Sequence, residues 1–375
     1  MIVAQNLVKE FRVHRPRPGL LGSLGSLFSR EYRTVRAVSG VSFEIAAGTR
    51  AAYIGANGAG KSTTIKMLTG IMRPTSGRCT VAGLEPYEQR RRNAANIGVV
   101  FGQRSQLWWD LPVLDSFRIL RHIHGIPAPV FRRNMELFRE LLDLDALGNT
   151  PVRQLSLGQR MRAEVAAAIV HDPKVLFLDE PTVGLDLVLK QAVRTLVNHV
   201  SAERGTTVLL TSHDMGDITA ICDQVLVVDR GEVVHQSTVH ELLRTADTRA
   251  VVFEHQDRET GPEETKRLIE RHLDGVTATP ADGGRVVVEY PAGRWSARQV
   301  MGFLLDHFDV TDCVAPEPDL ELVLRRIYTG GAGRTAPPGP TVPAQPAQPA
   351  QNAEPDRPAG TAGAAGAAGQ RGAAV

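Results

Sequence analysis

An α/β protein with a mainly parallel sheet is predicted for residues 2 to about 235, followed by a smaller α+β unit from about 245. Two observations predict this. Short, continuous apolar runs alternate with helical spacings in the first region, and a strand–helix–strand–strand–helix–strand order restarts in the second. The runs are RAAYIG ending at Gly55, NIGVVF at 96–101, VLFLD at 175–179, TTVLLTS at 206–212 and QVLVVD at 224–229. Uninterrupted apolar character marks strands covered on both faces. Between them Met135, Phe138, Leu141 and Leu142 recur at helical spacing, a packing stripe.

Residues 14–34 interrupt this pattern with Pro and Gly and then carry Leu20, Leu21, Leu24, Leu27 and Phe28. Such an insertion suits either a loop folded back on its own domain or a surface laid on a membrane or partner. After residue 245 come TRAVVFEH, EETKRLIERHL, GVTATP, GRVVVEY, SARQVMGFLLDHF and a strand near Val310 to Val314. That is the order of a split βαβ sandwich of the ferredoxin-like kind. A short apolar piece, LELVLRRIY, follows, and residues 330–375 are almost wholly Gly, Ala, Pro and Gln, too poor in apolar surface to order themselves. The expected organisation is therefore 1–243, 244–329 and a disordered tail at 330–375.

With 375 residues, 42% of them hydrophobic, the chain can build a core for each of two domains. Lys plus Arg (43) nearly balances Asp plus Glu (41), so no strong field argues for a nucleic-acid partner. Cys79, Cys222 and Cys313 form no CxxC pair, which fits a reducing cytoplasm and suggests neither a disulfide framework nor a zinc site. The start MIVAQNLVKEF is unlike a secretory signal, and the Ala/Val-rich stretch around Val165 to Val170 is too short to span a bilayer. Any membrane-spanning parts are expected on other chains.

Gly55 to Thr63 reads GANGAGKST, the G-x-x-x-x-G-K-S pattern, after an apolar strand and opening a helix that stops near Gly70. The loop backbone (Gly55, Asn57, Gly58, Ala59, Gly60) can curl around a phosphate beside a helix N-terminus. Lys61 can reach the β and γ phosphates of a nucleotide, with Ser62 and Thr63 at the helix start and Ser62 a Mg2+ ligand. The run Val175 to Leu178 ends in Asp179 and Glu180. In phosphate-loop enzymes a buried strand delivers carboxylates at this position, Asp179 to Mg2+ and Glu180 to the attacking water. Ser156, in QLSLGQRM, precedes an Ala-rich helix and reads by itself as a helix N-cap.

In order, the chain presents the Lys61 loop, Gln103 in VVFGQRSQ, LSLGQ around Ser156 and Gly158, LFLDEP, GLD at Gly184 to Asp186, and TSHDM with His213. This succession resembles the ATPases of ATP-binding-cassette (ABC) systems over residues 2–240. The resemblance implies a P-loop NTPase of that type, with a parallel core, an antiparallel β subdomain and a helical subdomain. It further implies that Gln103 senses Mg2+ and the γ phosphate, and that His213 contacts that phosphate and supports Glu180. Ser156 and Gly158 would close over the nucleotide of a second copy, and Asp186 would lie at the seam of that dimer. The base would stack on an aromatic ring, Phe11 or, less well placed, Tyr32. Ala56 and Leu157 depart from the commonest residues at their positions, proline and glycine, in ways that vary within the family.

The insertion, the RSQLWWDLP segment and the C-terminal sandwich resemble the branch that serves compact exporter permeases. That implies a peripheral subunit on the cytoplasmic face of the inner membrane, docked through the region of Trp108 and Trp109, which cannot both face inward on a regular element. An importer ATPase with a regulatory C-terminal domain is the alternative. A non-transport ABC ATPase lacks its usual marks here, namely long coiled-coil arms, a second cassette or zinc-binding cysteines. A P-loop GTPase lacks NKxD.

Overall fold

A computed structural model of the chain describes residues 1–14, 32–102, 105–245, 248–255, 261–281, 284–316 and 320–329. All belong to one compact unit, Met1–Pro340. The leucines of the 14–34 insertion, Gln103 and the 330–375 tail lie outside the described residues.

In chain order the first region carries β1 (Ile2–His14), β2 (Tyr32–Ile45), β3 (Arg50–Gly55), β4 (Ser76–Val81) and β5 (Ile97–Phe101), then β6 (Val175–Asp179), β7 (Thr207–Thr211), β8 (Gln224–Asp229) and β9 (Glu232–Thr238). Six of these form one sheet in the order β5-β6-β7-β3-β8-β9, and each of the five apolar runs read from sequence is one of its strands. Pairing is parallel throughout except at β9, which returns antiparallel on β8. The strand period of two sorts the side chains onto opposite faces. Tyr53, Phe177, Leu209 and Leu226 enter one core with Ile65 and Leu68, whereas Ile54, Leu178, Leu210 and Val227 enter the other, beneath the helices.

A three-stranded antiparallel sheet, β2-β1-β4, covers the first of these cores. β1 and β2 remain paired from Ile2↔Ile45 to His14↔Tyr32, so both strands extend into the edges of the segment read as an insertion. On the other face, helices Val113–His124, Ala128–Leu142 and Leu157–Ile169 make the helical lobe. Phe138 and Leu142 are buried there, with Phe138 against Phe117 at 6.2 Å between ring centroids, and Met135 and Leu141 pack beside them. The stripe is packing, as its spacing implied.

Strands β10 (Thr248–His255), β11 (Thr277–Pro280), β12 (Arg285–Pro291) and β13 (Val310–Val314) form an antiparallel sheet in the order β11-β12-β10-β13. With helices Pro262–His272 and Ala297–His307 this is the ferredoxin-like arrangement, around a core of its own that includes Phe253, Ile269, Val288 and Leu304. The last helix, Leu320–Thr329, behaves differently from its expected grouping with the sandwich: Leu320, Val323 and Leu324 join the first region's core, near Leu242. Its apolar residues find a larger buried face there.

Candidate functional site

β3 ends at Gly55 and helix Lys61–Leu68 begins after Gly60, so the intervening loop turns within a few residues. Two glycines explain how. A Cβ at Gly55 would lie 2.5 Å from the Val228 carbonyl, and one at Gly60, whose φ is 99°, would lie 2.5 Å from the Ala37 carbonyl. The loop is thus clamped between β8 and β2 where no side chain fits. Gly70 ends the segment, with φ 78°. The first N–H groups of the helix have no intrahelical acceptor and face the cleft, together with its positive dipole end.

The Lys61 ammonium donates to the carbonyls of Gly55 at 2.5 Å and Ala56 at 3.3 Å, and among the described residues no carboxylate lies within ion-pair distance of it. Burial pushes its pKa down, while the fields of Glu180 and Asp179 oppose that shift. It is a cation held ready for an anion.

Opposite stands the end of β6. Ser62 Oγ donates to one oxygen of Asp179 at 3.2 Å and Thr211 Oγ1 to the other at 2.6 Å. A carboxylate beside a hydroxyl is a hard oxygen donor set, suited to Mg2+. Glu180 follows in the left-handed region, φ 56°, a strain of about 1–3 kcal/mol for a side-chain-bearing residue. Its N–H donates to the Thr211 carbonyl at 3.0 Å and hydroxyl at 3.2 Å, which holds that conformation. One Glu180 oxygen accepts the His213 N–H at 3.3 Å, and the other lies 3.1 Å from His213 Nε2 and has no other hydrogen-bond partner. Burial raises the Glu180 pKa and the Asp179 charge adds to it, whereas the imidazole and N–H of His213 and the charge of Lys61 pull it down.

Asn57, Gly58, Gly60, Lys61, Ser62, Thr63, Asp179, Glu180 and His213 all line one cavity of about 1020 Å3. Gly102, which precedes Gln103, lines it too, and its N–H donates to the Asp179 carbonyl at 3.1 Å. Ala59 is buried beneath the loop. Phe11, Ser156, Gly158 and Asp186 are not brought to the cavity wall, although Leu157 and Arg160 reach its rim. Ser156 caps helix Leu157–Ile169 reciprocally with Gln159, and Asp186 caps helix Leu187–Arg204 through the Leu189 N–H at 2.9 Å. Phe11 lies opposite Val35, two residues from the cavity-lining Ala37, while Tyr32 is five residues away, about 17 Å along an extended strand.

Sequence reading missed Asp217. It is fully buried, accepts from the hydroxyls of Thr182 and of Ser212 (3.1 Å), and pairs with Arg194 at 2.6 Å. Thr182 stands two residues after Glu180 and Ser212 one before His213, so a single carboxylate holds both loops. Thr211 was passed over as well. Its pairing opposite Asp179 across β6 and β7 is visible only in the structure.

Residues 38–183 match the family model described as ABC transporter. Among curated relatives, Nod factor export ATP-binding protein I of Ralstonia nicotianae is 34% identical over 232 residues, covering 61% of this chain and 71% of that protein. Methionine import ATP-binding protein MetN of Geobacillus kaustophilus is 34% identical over 246 residues, covering 64% and 71%. A solved dimeric, post-hydrolysis ATP-binding cassette bound to ADP and Pi shares the fold with a TM-score of 0.53 at 22% identity, covering 64% of this chain and 99% of that one. With the phosphate loop, the paired carboxylates and the histidine assembled in one cleft, the chain belongs to the ATP-binding proteins of ABC transporters.

Proposed function

We propose that the chain binds MgATP at Lys61 and hydrolyses it in a head-to-tail dimer, driving export of a drug-like or envelope-related compound through separate permease subunits. The observation that carries this reading is the cleft itself, where an ammonium without a carboxylate partner faces the Ser62–Asp179 oxygen pair and Glu180. Lys61 and the loop amides from Asn57 to Thr63 hold the β and γ phosphates. Ser62 and Asp179, with Gln103, hold Mg2+, which when bound neutralises phosphate charge. Glu180 takes the proton of the attacking water; its raised pKa brings it nearer neutrality, where a base transfers protons best. His213 orients that carboxylate and reaches the γ phosphate.

Ser156 and Gly158 of a facing copy complete each site, with Asp186 at the seam. Leu157, Val183, Leu187 and Val188 support this, since all four are exposed around the cleft rim and the start of the Asp186-capped helix. An apolar patch of that kind marks an interface. Phe11 is favoured over Tyr32 as the adenine shelf by its shorter distance to the cleft. Trp108 and Trp109 are 37% and 51% exposed, which supports a permease dock there. Among the described residues no helix is long and apolar enough to cross a membrane, in keeping with a peripheral subunit on the cytoplasmic face.

Replacing Glu180 by Gln is expected to leave ATP binding intact, lower kcat by about 10²–10⁴-fold and trap the dimer. A monomeric, fully active variant would overturn the proposal. Likeness to MetN favours a second reading, import. Co-purification of an extracytoplasmic solute-binding protein with the assembled transporter would establish import and exclude export.

A further inference from the structure

One buried acid fastens the segment after Gln103 to the helix that starts at Ser156. Glu164 lies roughly two turns into that helix, 5% exposed among alanines and valines. One of its oxygens accepts the Ser105 hydroxyl, and the other accepts the Gln106 N–H at 3.0 Å. The Gln106 side-chain amide donates in turn to the Glu164 carbonyl at 3.1 Å and to Val99 on β5 at 3.3 Å. Four residues earlier on the same helix face, Arg160 stands over the Trp109 ring at 5.8 Å. Burial drives the Glu164 carboxyl up and these hydrogen bonds oppose it, so the clasp is what makes an acid tolerable at this position. Glu164 and Ser105 do not line the nucleotide cleft.

We propose that Glu164 is a positioning residue for hydrolysis, one that binds residues 105–109 and the Ser156 helix into a single rigid piece. Ser156, at the head of the helix, is thereby held in fixed relation to the Ser105–Trp109 segment. A partner docked on Trp108 and Trp109 is felt at Ser156 through the same piece. The inference rests on the function proposed above.

Magnesium-dependent ATP hydrolysis by the full chain, measured against ATP concentration, tests it. Glu164→Ala is expected to lower kcat about tenfold with KM for ATP unchanged, the pattern of a lost transition-state arrangement rather than lost binding. Glu164→Gln keeps most of the rate, because its amide oxygen accepts from Gln106 and its NH2 donates to the Ser105 hydroxyl. Ser105→Ala, which cuts one arm at an exposed residue, lowers kcat about threefold, and combining it with Glu164→Ala brings no further loss. Unchanged kcat in both alanine variants, or an effect confined to KM or to melting temperature, would overturn the positioning role. A wild-type chain without magnesium-dependent hydrolysis would defeat the underlying reading instead.

Discussion

The cleft-bearing region and the small sandwich are stabilised in different ways. Among the described residues, the non-glycine positions with positive φ (Asn6, Ala82, Asp143, Asp172, Glu180 and Arg230) all precede residue 248. The buried acids, Glu164 and Asp217, precede it too, and among the described residues Thr265 is the one buried polar residue of the sandwich. Sandwich ion pairs such as Arg294–Asp274 and Arg285–Glu254 are exposed, where such contacts contribute little. Strain and buried charge are confined to the first region, with Glu180 the strained residue at the cleft itself, and the sandwich relies on apolar contact. Substitutions in the first region should therefore change chemistry, and those in the second stability alone.

The sharpest contrast comes from Lys61→Ala. It removes a cation that among the described residues is bonded only to its own loop, so hydrolysis should fall by about 10²–10³-fold while the melting temperature barely moves. Retained activity would erase the distinction. Asp217→Ala should cost about 3–5 kcal/mol in urea unfolding, because Arg194 loses its buried partner, and should slow hydrolysis as the loops carrying Glu180 and His213 slacken. A loss of stability without a loss of rate would place Asp217 with the sandwich residues. Phe253→Ala should cost the sandwich about 3 kcal/mol and leave kcat and KM untouched. A changed kcat would show that the sandwich governs the cleft.

The smallest effect is on pH dependence. With Glu180 as the proposed ionised base and its folded-state pKa raised, activity should be lost as pH falls through a value above the ordinary glutamate pKa. An acid limb at the ordinary glutamate position would break the link between burial and catalysis at this site.

The five apolar runs, the Lys61 loop, Asp179 and Glu180 were readable because each sits in a contiguous pattern whose period or spacing is local, whereas His213 was singled out only through the resemblance. β4 and β9 were not, since SGRCTV and EVVHQST carry no continuous apolar run. Glu164 and Asp217 were invisible for a related reason. A lone acid inside a helical pattern reads as a solvated position, and the partners that justify these two stand 59 and 35 residues away, at Ser105 and Thr182. The capping roles of Ser156 and Asp186 follow from short-range rules, whereas their distance from their own chain's cavity wall needed coordinates.

The helix Leu320–Thr329 returns to the first region after the sandwich has been completed. The sandwich is consequently tied to that region by chain at both ends, like an insert rather than a pendant. Shortening the polypeptide just after β13 would uncork the side of the first core around Leu242 and expose greasy surface far from any truncated loop. Loss of solubility in such a shortened chain would reflect an unplugged core, with the sandwich itself still folded.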